Sequence, residues 1–548
     1  MYKNILFVNL LIILSLGIVP SCQKDEEAFD KKTCDDDDGD YTNAQWYITG
    51  ADNGVGREVQ PLDFSVNVAI VSDGLDSRHC DLTDQIDHQY NYNYYNKTKI
   101  PTLEGNMSRG TVMAGLIAAE DNTFGITGVA PSSKIVFFNL LNNRNFVNEA
   151  NAMGRNAGNY DISLNTWASI PGKTGFVPSV LKNIKSWEHA VNCQLGHYAK
   201  DLKTCNTNDR GVVYIFSAGE KSLDKITSLR ESRDSNLNAY ANFHGVMAVC
   251  SITSDGVAAD YSVTGSNLWV CGPSAGKKKI VTTDVLGEGG YNNSDDNINH
   301  DYTGVGTESK EAFYGGDVSA ALVAGVAALV RSKESTTNRA ELSWRDVRII
   351  LAESAKKIDP SDDSWQETGA MKISDNTKKY EHSEKYGFGL VSAKDALILA
   401  QNWAHLSPHY YKTVAVTAEF EEDMPDSIVT IGADQVGAEN LETPDPSKTV
   451  AKIENIIINI YSEAEGDLDG AIIELTAPDG KVSTLIPEDV AKELLDKDIH
   501  FPTEWRFSTV RHLGINPIGD WKLTIKKASF GNKPKAKRWT IRFWGRTS

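Results

Sequence analysis

The sequence predicts a parallel α/β domain followed by an all-β sandwich, and three observations carry that expectation. Apolar runs, one opening at Val66 and capped by Asp73-Gly74 and others at Lys134–Leu140, Asp161–Trp167 and Gly211–Ser217, are separated by polar or helical stretches. Such alternation implies a parallel sheet with right-handed crossovers. From about residue 410 the pattern becomes short alternating strands with turn signals, clearest at Ile456–Tyr461, Ala471–Thr476, Trp521–Ile525 and Trp539–Trp544, which is sandwich patterning. A chain of 548 residues has room for two or three domains and a large core.

The chain begins as a targeting segment. Lys3 supplies a positive start, Ile5–Val19 is almost wholly apolar, and Val19-Pro20-Ser21 precedes Cys22. This arrangement resembles a bacterial lipoprotein signal over residues 1–21, which implies a lipid on Cys22 after cleavage. The apolar run is too short to span a bilayer. Gln23-Lys24-Asp25-Glu26-Glu27 resembles the acidic signal that sends some Gram-negative lipoproteins to the outer cell face. Residues 22–42 read as a tether ending in the acidic run Asp35–Asp38, where like charges repel. The formal net charge of −19, from 55 basic and 74 acidic side chains, argues against a nucleic-acid partner.

Six cysteines remain after Cys22: Cys34, Cys80, Cys193, Cys205, Cys250 and Cys271. In an exported protein an even count allows disulfides, with 15 pairings for six cysteines. Cys193 and Cys205 flank a polar excursion and are the expected pair. No Cys-x-x-Cys occurs, so a zinc site is not expected.

Residues 108–131 run Ser-Arg-Gly-Thr, a small-residue helix, and a loop ending Gly-Val-Ala-Pro. The stretch resembles the block carrying the catalytic histidine in subtilisin- and kexin-type serine proteases, with Arg109 in the histidine's place. Further motifs extend the resemblance from residue 45 to about 400. Gln45-Trp46-Tyr47-Ile48 is similar to the opening of the mature catalytic domain, and Ser343-Trp344-Arg345-Asp346-Val347 to a downstream helix. The short stretch between Cys22 and Gln45 leaves no room for the family's folding prodomain, so maturation without self-cleavage is expected. Gly466-Asp-Leu-Asp-Gly, Thr476-Ala-Pro-Asp-Gly, Ser508-Thr-Val-Arg-His-Leu-Gly, Gly519-Asp-Trp-Lys-Leu and Phe543-Trp-Gly resemble, in order, the jelly-roll-like P domain that follows kexin-type catalytic domains. The resemblance implies a subtilisin-like domain over 43–405 and a P domain over 410–548. His512 falls in a P-domain motif and reads as a structural residue.

At the positions where this family keeps its chemistry the residues differ. The strand delivering the catalytic aspartate places it two residues before a glycine, which here is Ser72. Strand alternation turns Asp73 to the opposite face. Arg109 stays protonated and has no acceptor lone pair, so it cannot be a general base. Glu220 stands where the family has the oxyanion-hole asparagine, and a carboxylate there repels developing negative charge. Counting back from Ala324-Gly325 puts Asp317 at the nucleophilic serine, whereas anchoring on Gly315-Gly316 puts Val318 there. Ser169-Ile170-Pro171-Gly172-Lys173 lacks the acids behind a taste for basic side chains, so dibasic specificity is not expected. The run Val318–Val330 reads as a core helix.

These substitutions predict a pseudoprotease, not an enzyme: a surface-tethered outer-membrane lipoprotein binding a peptide or protein, with Arg109 paired to Asp317 or Glu220. One alternative is an active endopeptidase with displaced groups, Ser319 as nucleophile with Asp73 and a spare histidine. Another is a scaffold lipoprotein docking on an outer-membrane uptake complex. The loop Glu120–Ile126 is similar to the subtilisin loop that wraps a structural calcium. By that resemblance Asp81 and Asn122 offer side-chain oxygens, and Glu120, Phe124 and Ile126 backbone carbonyls, to Ca²⁺.

Overall fold

The structure, a computed structural model, describes residues 40–547 apart from 58–63, 104–108, 168–183, 196–209, 221–233, 288, 292–300, 305–312, 334–340, 418–419, 421–425, 434–436, 438–448, 497–498 and 531–532. A strand buried on both faces needs a continuous apolar run, and the four runs read from the sequence form β1 (Asn67–Ser72), β3 (Lys134–Asn139), β4 (Ile162–Asn165) and β5 (Val213–Ser217). Three strands not read from the sequence join them: β2 (Tyr92–Asn93), β6 (Val246–Ile252) and β7 (Leu268–Pro273). All seven make one sheet in the order β2-β3-β1-β4-β5-β6-β7, with every pair parallel. A disulfide joins Cys250 and Cys271, which face each other across β6 and β7.

After β1 the chain builds β2 and β3 on one side and returns to place β4 on the other. Open α/β sheets bind ligands outside the carboxyl ends of the strands at such a reversal. Here those ends carry Ser72 and Thr166. The helices are α1 (Arg109–Ala118), α2 (Phe146–Gly154), α3 (Lys185–Gln194), α4 (Gly316–Arg331), α5 (Trp344–Ser354) and α6 (Ala393–Gln401). Helix α4 is apolar on all sides, as a helix passing through a core must be. Asp317 is its one residue that is not buried. The small side chains permit close approach: a Cβ on Gly325 would lie 2.6 Å from Val129 Cβ.

Two short antiparallel pairs follow, β8 (Thr282–Thr283) with β9 (Tyr302–Thr303) and β10 (Trp365–Met371) with β11 (Lys379–Ser383). The C-terminal domain comprises β12 (His409–Thr417), β13 (Asp426–Ile431), β14 (Lys452–Tyr461), β15 (Ala471–Thr476), β16 (Val482–Ile486), helix α7 (Glu488–Asp496), β17 (Glu504–Thr509), β18 (Gly519–Lys527) and β19 (Arg538–Arg546). The strands form two four-stranded sheets, β12-β19-β14-β17 and β13-β18-β15-β16, antiparallel throughout. His512 is buried at 1 % exposure, with Nε2 2.9 Å from Ser483 Oγ. Burial lowers its pKa to about 3, so it is a neutral core residue.

Strand β17 is docked on the first domain. Trp505 Nε1 donates to Asn236 O (3.0 Å), Ser508 N to Asn236 Oδ1 (2.7 Å), and Asn242 Nδ2 to Arg506 O (2.7 Å). On the other flank Arg345 Nε donates to Glu454 Oε2 (2.9 Å) and Arg511 Nη1 to Glu384 Oε1 (3.1 Å). The two domains share a continuous, hydrogen-bonded seam.

Candidate functional site

Three element ends meet at the strand-order reversal. Strand β1 stops at Ser72, α1 starts at Arg109, and α4 starts at Gly316 behind Gly315, whose φ of 123° is open only to glycine. Arg109 Nη1 donates to Asp317 Oδ2 at 3.0 Å and lies 3.4 Å from Thr166 O. The expected pairing is therefore made with Asp317. The Arg109 side chain is 38 % exposed and that of Asp317 13 %, so the pair opens to solvent. The other alignment is settled by burial, because Val318 points into the core at 0 % exposure.

Glu220 faces the start of α4: its Oε1 accepts the Gly316 N–H at 2.5 Å. A backbone donor at a helix N-terminus, which could otherwise serve an oxyanion, is thus occupied by a carboxylate. Ser72 is fully buried and accepts a hydrogen bond from Thr166 Oγ1 at 2.7 Å. It ties β1 to β4 and presents no charge.

Asp73 departs from the expectation that alternation turns it away. Strand β1 ends at Ser72, so the alternation no longer governs residue 73. Its Oδ1 accepts from Gly74 N (2.7 Å) and Gly110 N (3.3 Å), which sets the carboxylate against the start of α1. Burial raises its pKa, and Arg109 opposes the rise. Asp317 is also raised by burial, with Arg109 pulling it down and Asp73 pushing it up. Burial works to lower the Arg109 pKa, but Asp317, then Tyr291, Asp73 and Glu220, hold it above its ordinary value. One guanidinium therefore serves three carboxylates. Tyr291 was not found from the sequence, because the segment between β8 and β9 carries no motif pointing to it.

Ser319, the displaced nucleophile of the alternative reading, is corrected by the structure. It is fully buried, and its Oγ donates among Ser251 Oγ (2.9 Å), Gly272 O (3.0 Å) and Pro273 O (3.1 Å). Two residues along a helix from Asp317 the side chain points about 200° away, into the sheet. It does not meet Asp73.

The Subtilase family profile matches residues 64–389, more than half of the 548 residues. The chain belongs to the subtilase family. The Proprotein convertase P-domain profile matches residues 454–543. Protease KEX1 of Kluyveromyces lactis is 26 % identical over 495 residues, covering 88 % of this chain and 56 % of its own length. Kexin of Saccharomyces cerevisiae is 24 % identical, covering 95 % of this chain and 58 % of its own. This subtilase thus spans little more than half the length of these curated relatives. Among solved structures, the Aeromonas sobria serine protease in complex with its chaperone ORF2 superposes with a TM-score of 0.72 at 21 % identity, over 93 % of this chain and 96 % of that one. This likeness shows the fold: a subtilisin-like parallel-sheet domain with a C-terminal P domain.

The expectation that the chain is not an enzyme is corrected by these findings. Its family and its relatives are named as proteases.

The expected pairing of Cys193 with Cys205 falls outside the described residues, because Cys205 does; Cys193 is in a disulfide, and so is Cys80. Cys22, the tether up to residue 39 and the segment Ser169–Lys173 also lie outside the described residues.

Proteases of the subtilisin and kexin type typically bind calcium. The loop Glu120–Ile126 does converge on the buried Asp81, but with donors facing it. Asp81 Oδ1 accepts from Asn122 Nδ2 (3.1 Å), and Oδ2 from Ile126 N (3.1 Å) and from Tyr302 OH (2.8 Å). Asn122 Oδ1 accepts from Phe124 N (2.8 Å), and Glu120 O from Asn122 N (3.1 Å). A cation needs converging lone pairs, so this arrangement does not fit calcium. Among the described residues no group of three or more His, Cys, Asp or Glu is placed to hold a metal ion.

Proposed function

We propose that this subtilase holds polypeptide at the carboxyl ends of β1, β4 and β5, with the Arg109–Asp317 pair standing where the family's Asp-His-Ser relay would assemble. The 3.0 Å ion pair between the starts of α1 and α4 carries this reading. Its guanidinium offers no acceptor for a proton, and Asp317 has no nucleophilic hydroxyl. The surrounding excess of carboxylate, from Asp73, Glu220 and Asp317, favours ligands that approach with N–H or ammonium groups and disfavours polyanions. Any hydrolysis at this cleft runs without an imidazole at position 109 or a serine at 317.

Fluorophosphonate treatment of the purified full chain, beside an active subtilisin control, tests the reading. The expected result is no covalent adduct under conditions that label the control fully, with retained binding of a fluorescent polypeptide such as denatured casein. A stoichiometric serine adduct, removed by Ser319→Ala, would overturn it.

We further propose that a lipid on Cys22 tethers the chain to the outer membrane of a Gram-negative cell, with the domains at the cell surface. The apolar run ending at Ser21-Cys22 supports this, and among the described residues no helix is long and apolar enough to cross a membrane. Radiolabelled palmitate should enter the wild-type chain and not Cys22→Ser. Equal labelling of both would refute lipidation at that residue. Docking on an outer-membrane uptake complex is the second role open to a tethered chain, and co-purification from solubilised membranes would support it.

A further inference from the structure

Tyr302 lies in β9, just after the part of the β8–β9 connection that falls outside the described residues, yet it is anchored on every side. Its backbone pairs with Thr283, its ring packs edge-on against His79 at 5.1 Å and lies 5.2 Å from the Tyr41 ring, and it is fully buried. Its neighbour Asp301 fixes the approach, with His79 Nε2 2.9 Å from Asp301 O. The hydroxyl then donates to Asp81 Oδ2 at 2.8 Å.

The loop has been shaped to receive that hydroxyl. Gly125 has φ of 57°, and a Cβ on it would lie 2.1 Å from both Asp81 Oδ2 and Tyr302 Oη. With no side chain there, the loop backbone comes close enough for Ile126 N–H to reach the same carboxylate oxygen. Asn122 adds an amide donor to the other oxygen. A buried carboxylate that receives N–H and O–H donors on both oxygens is satisfied by the protein itself.

We propose that Tyr302 closes the Glu120–Ile126 loop onto Asp81 in place of a cation, so that the stability of this domain does not depend on calcium at that loop. What elsewhere would be metal–ligand bonds is here a phenol, an amide and a backbone N–H.

Scanning calorimetry of the full chain in detergent, with millimolar CaCl₂ or with EDTA, tests this. The wild-type Tm is expected to agree within about 1 °C between the two conditions, since an ion that does not bind the native state adds no stability. Tyr302→Phe is expected to melt about 2–4 °C lower in both. A wild-type Tm that rises by several degrees with calcium, with the rise lost in Asp81→Asn, would overturn the proposal. So would one equivalent of calcium retained by the desalted wild type and lost in Asp81→Asn. A rise that survives Asp81→Asn supports it, because the ion then lies elsewhere. Should Asp81→Asn fail to fold, Tyr302→Phe decides, and an unchanged Tm in that variant overturns the proposal.

Discussion

Glu454→Ala is expected to destabilise the folded chain by about 3–5 kcal/mol, the usual consequence of removing one partner from a buried charge cluster. Glu454 begins the docked face of the P domain at 6 % exposure. Arg345 reaches it through Nε at 2.9 Å and through Nη2, Arg546 Nη1 lies at 3.5 Å, and His409 Nε2 at 3.7 Å. Burial works to raise its pKa, but Arg345, Arg546 and Arg348 outweigh it and hold the carboxyl below the usual range. Alanine leaves these guanidinium groups buried without their shared anion. Urea unfolding of wild type and variant measures the loss. Glu367→Ala serves as the control, because the Lys379–Glu367 pair is 44 % and 56 % exposed and such pairs contribute at most about 1 kcal/mol. Equal effects of the two substitutions would refute the role given to Glu454.

Asp346 provides the second large effect, and it is pH-dependent. Burial alone would raise its pKa, but hydrogen bonds from His405 and Ser343 and from the N–H groups of Leu406 and Ser343 lower it from 3.8 to about 2. The side chain is only 2 % exposed. Because the folded value lies below the unfolded one, the stabilisation is present above about pH 4 and is lost as pH falls through about 2. It amounts to about 2 kcal/mol at neutral pH. Asp346→Asn should remove that amount at pH 7 and progressively less toward pH 2. Asp73 and Asp317 act with the opposite sign. Their folded values are raised, so their contribution is present below about pH 4 and is lost as pH rises through those values. A stability difference between wild type and Asp346→Asn that stays constant from pH 7 to 2 would contradict the assignment.

Much of this could be read from the chain because it is local. Continuous apolar runs marked β1, β3, β4 and β5 but not β2, β6 or β7, and the small-residue run Val318–Val330 marked the buried helix α4. The Arg109–Asp317 contact followed from family positions that the fold brings together across 208 residues. Asp73 was misplaced because a period-two rule was carried one residue past the end of β1, where the backbone turns. The register of the α4 start was ambiguous by one residue, and one residue on a helix is a rotation of about 100°, enough to exchange Asp317 for Val318. Tyr291 and Tyr302 could not be found, since nothing in their local sequence points to Arg109 or Asp81; only the path of a long connection brings them there. The arrangement of the Glu120–Ile126 loop was hidden for a related reason. The loop's residues match a ligand pattern, but the hydroxyl that meets Asp81 Oδ2 comes from Tyr302, far along the chain.

Main-chain groups share the seam between the two domains with side chains: Ser508 N–H, Arg506 C=O and Asn236 C=O each take part, and Val510 N donates to Ser266 O at 3.0 Å. Such a joint recognises the path of a backbone together with a few specific side chains. Over many generations the surface of either domain can drift while the joint stays closed, provided Asn236, Asn242 and the arginine-held Glu454 are kept. Cutting the P domain away would strip Asn236, Asn242 and Arg345 of these partners.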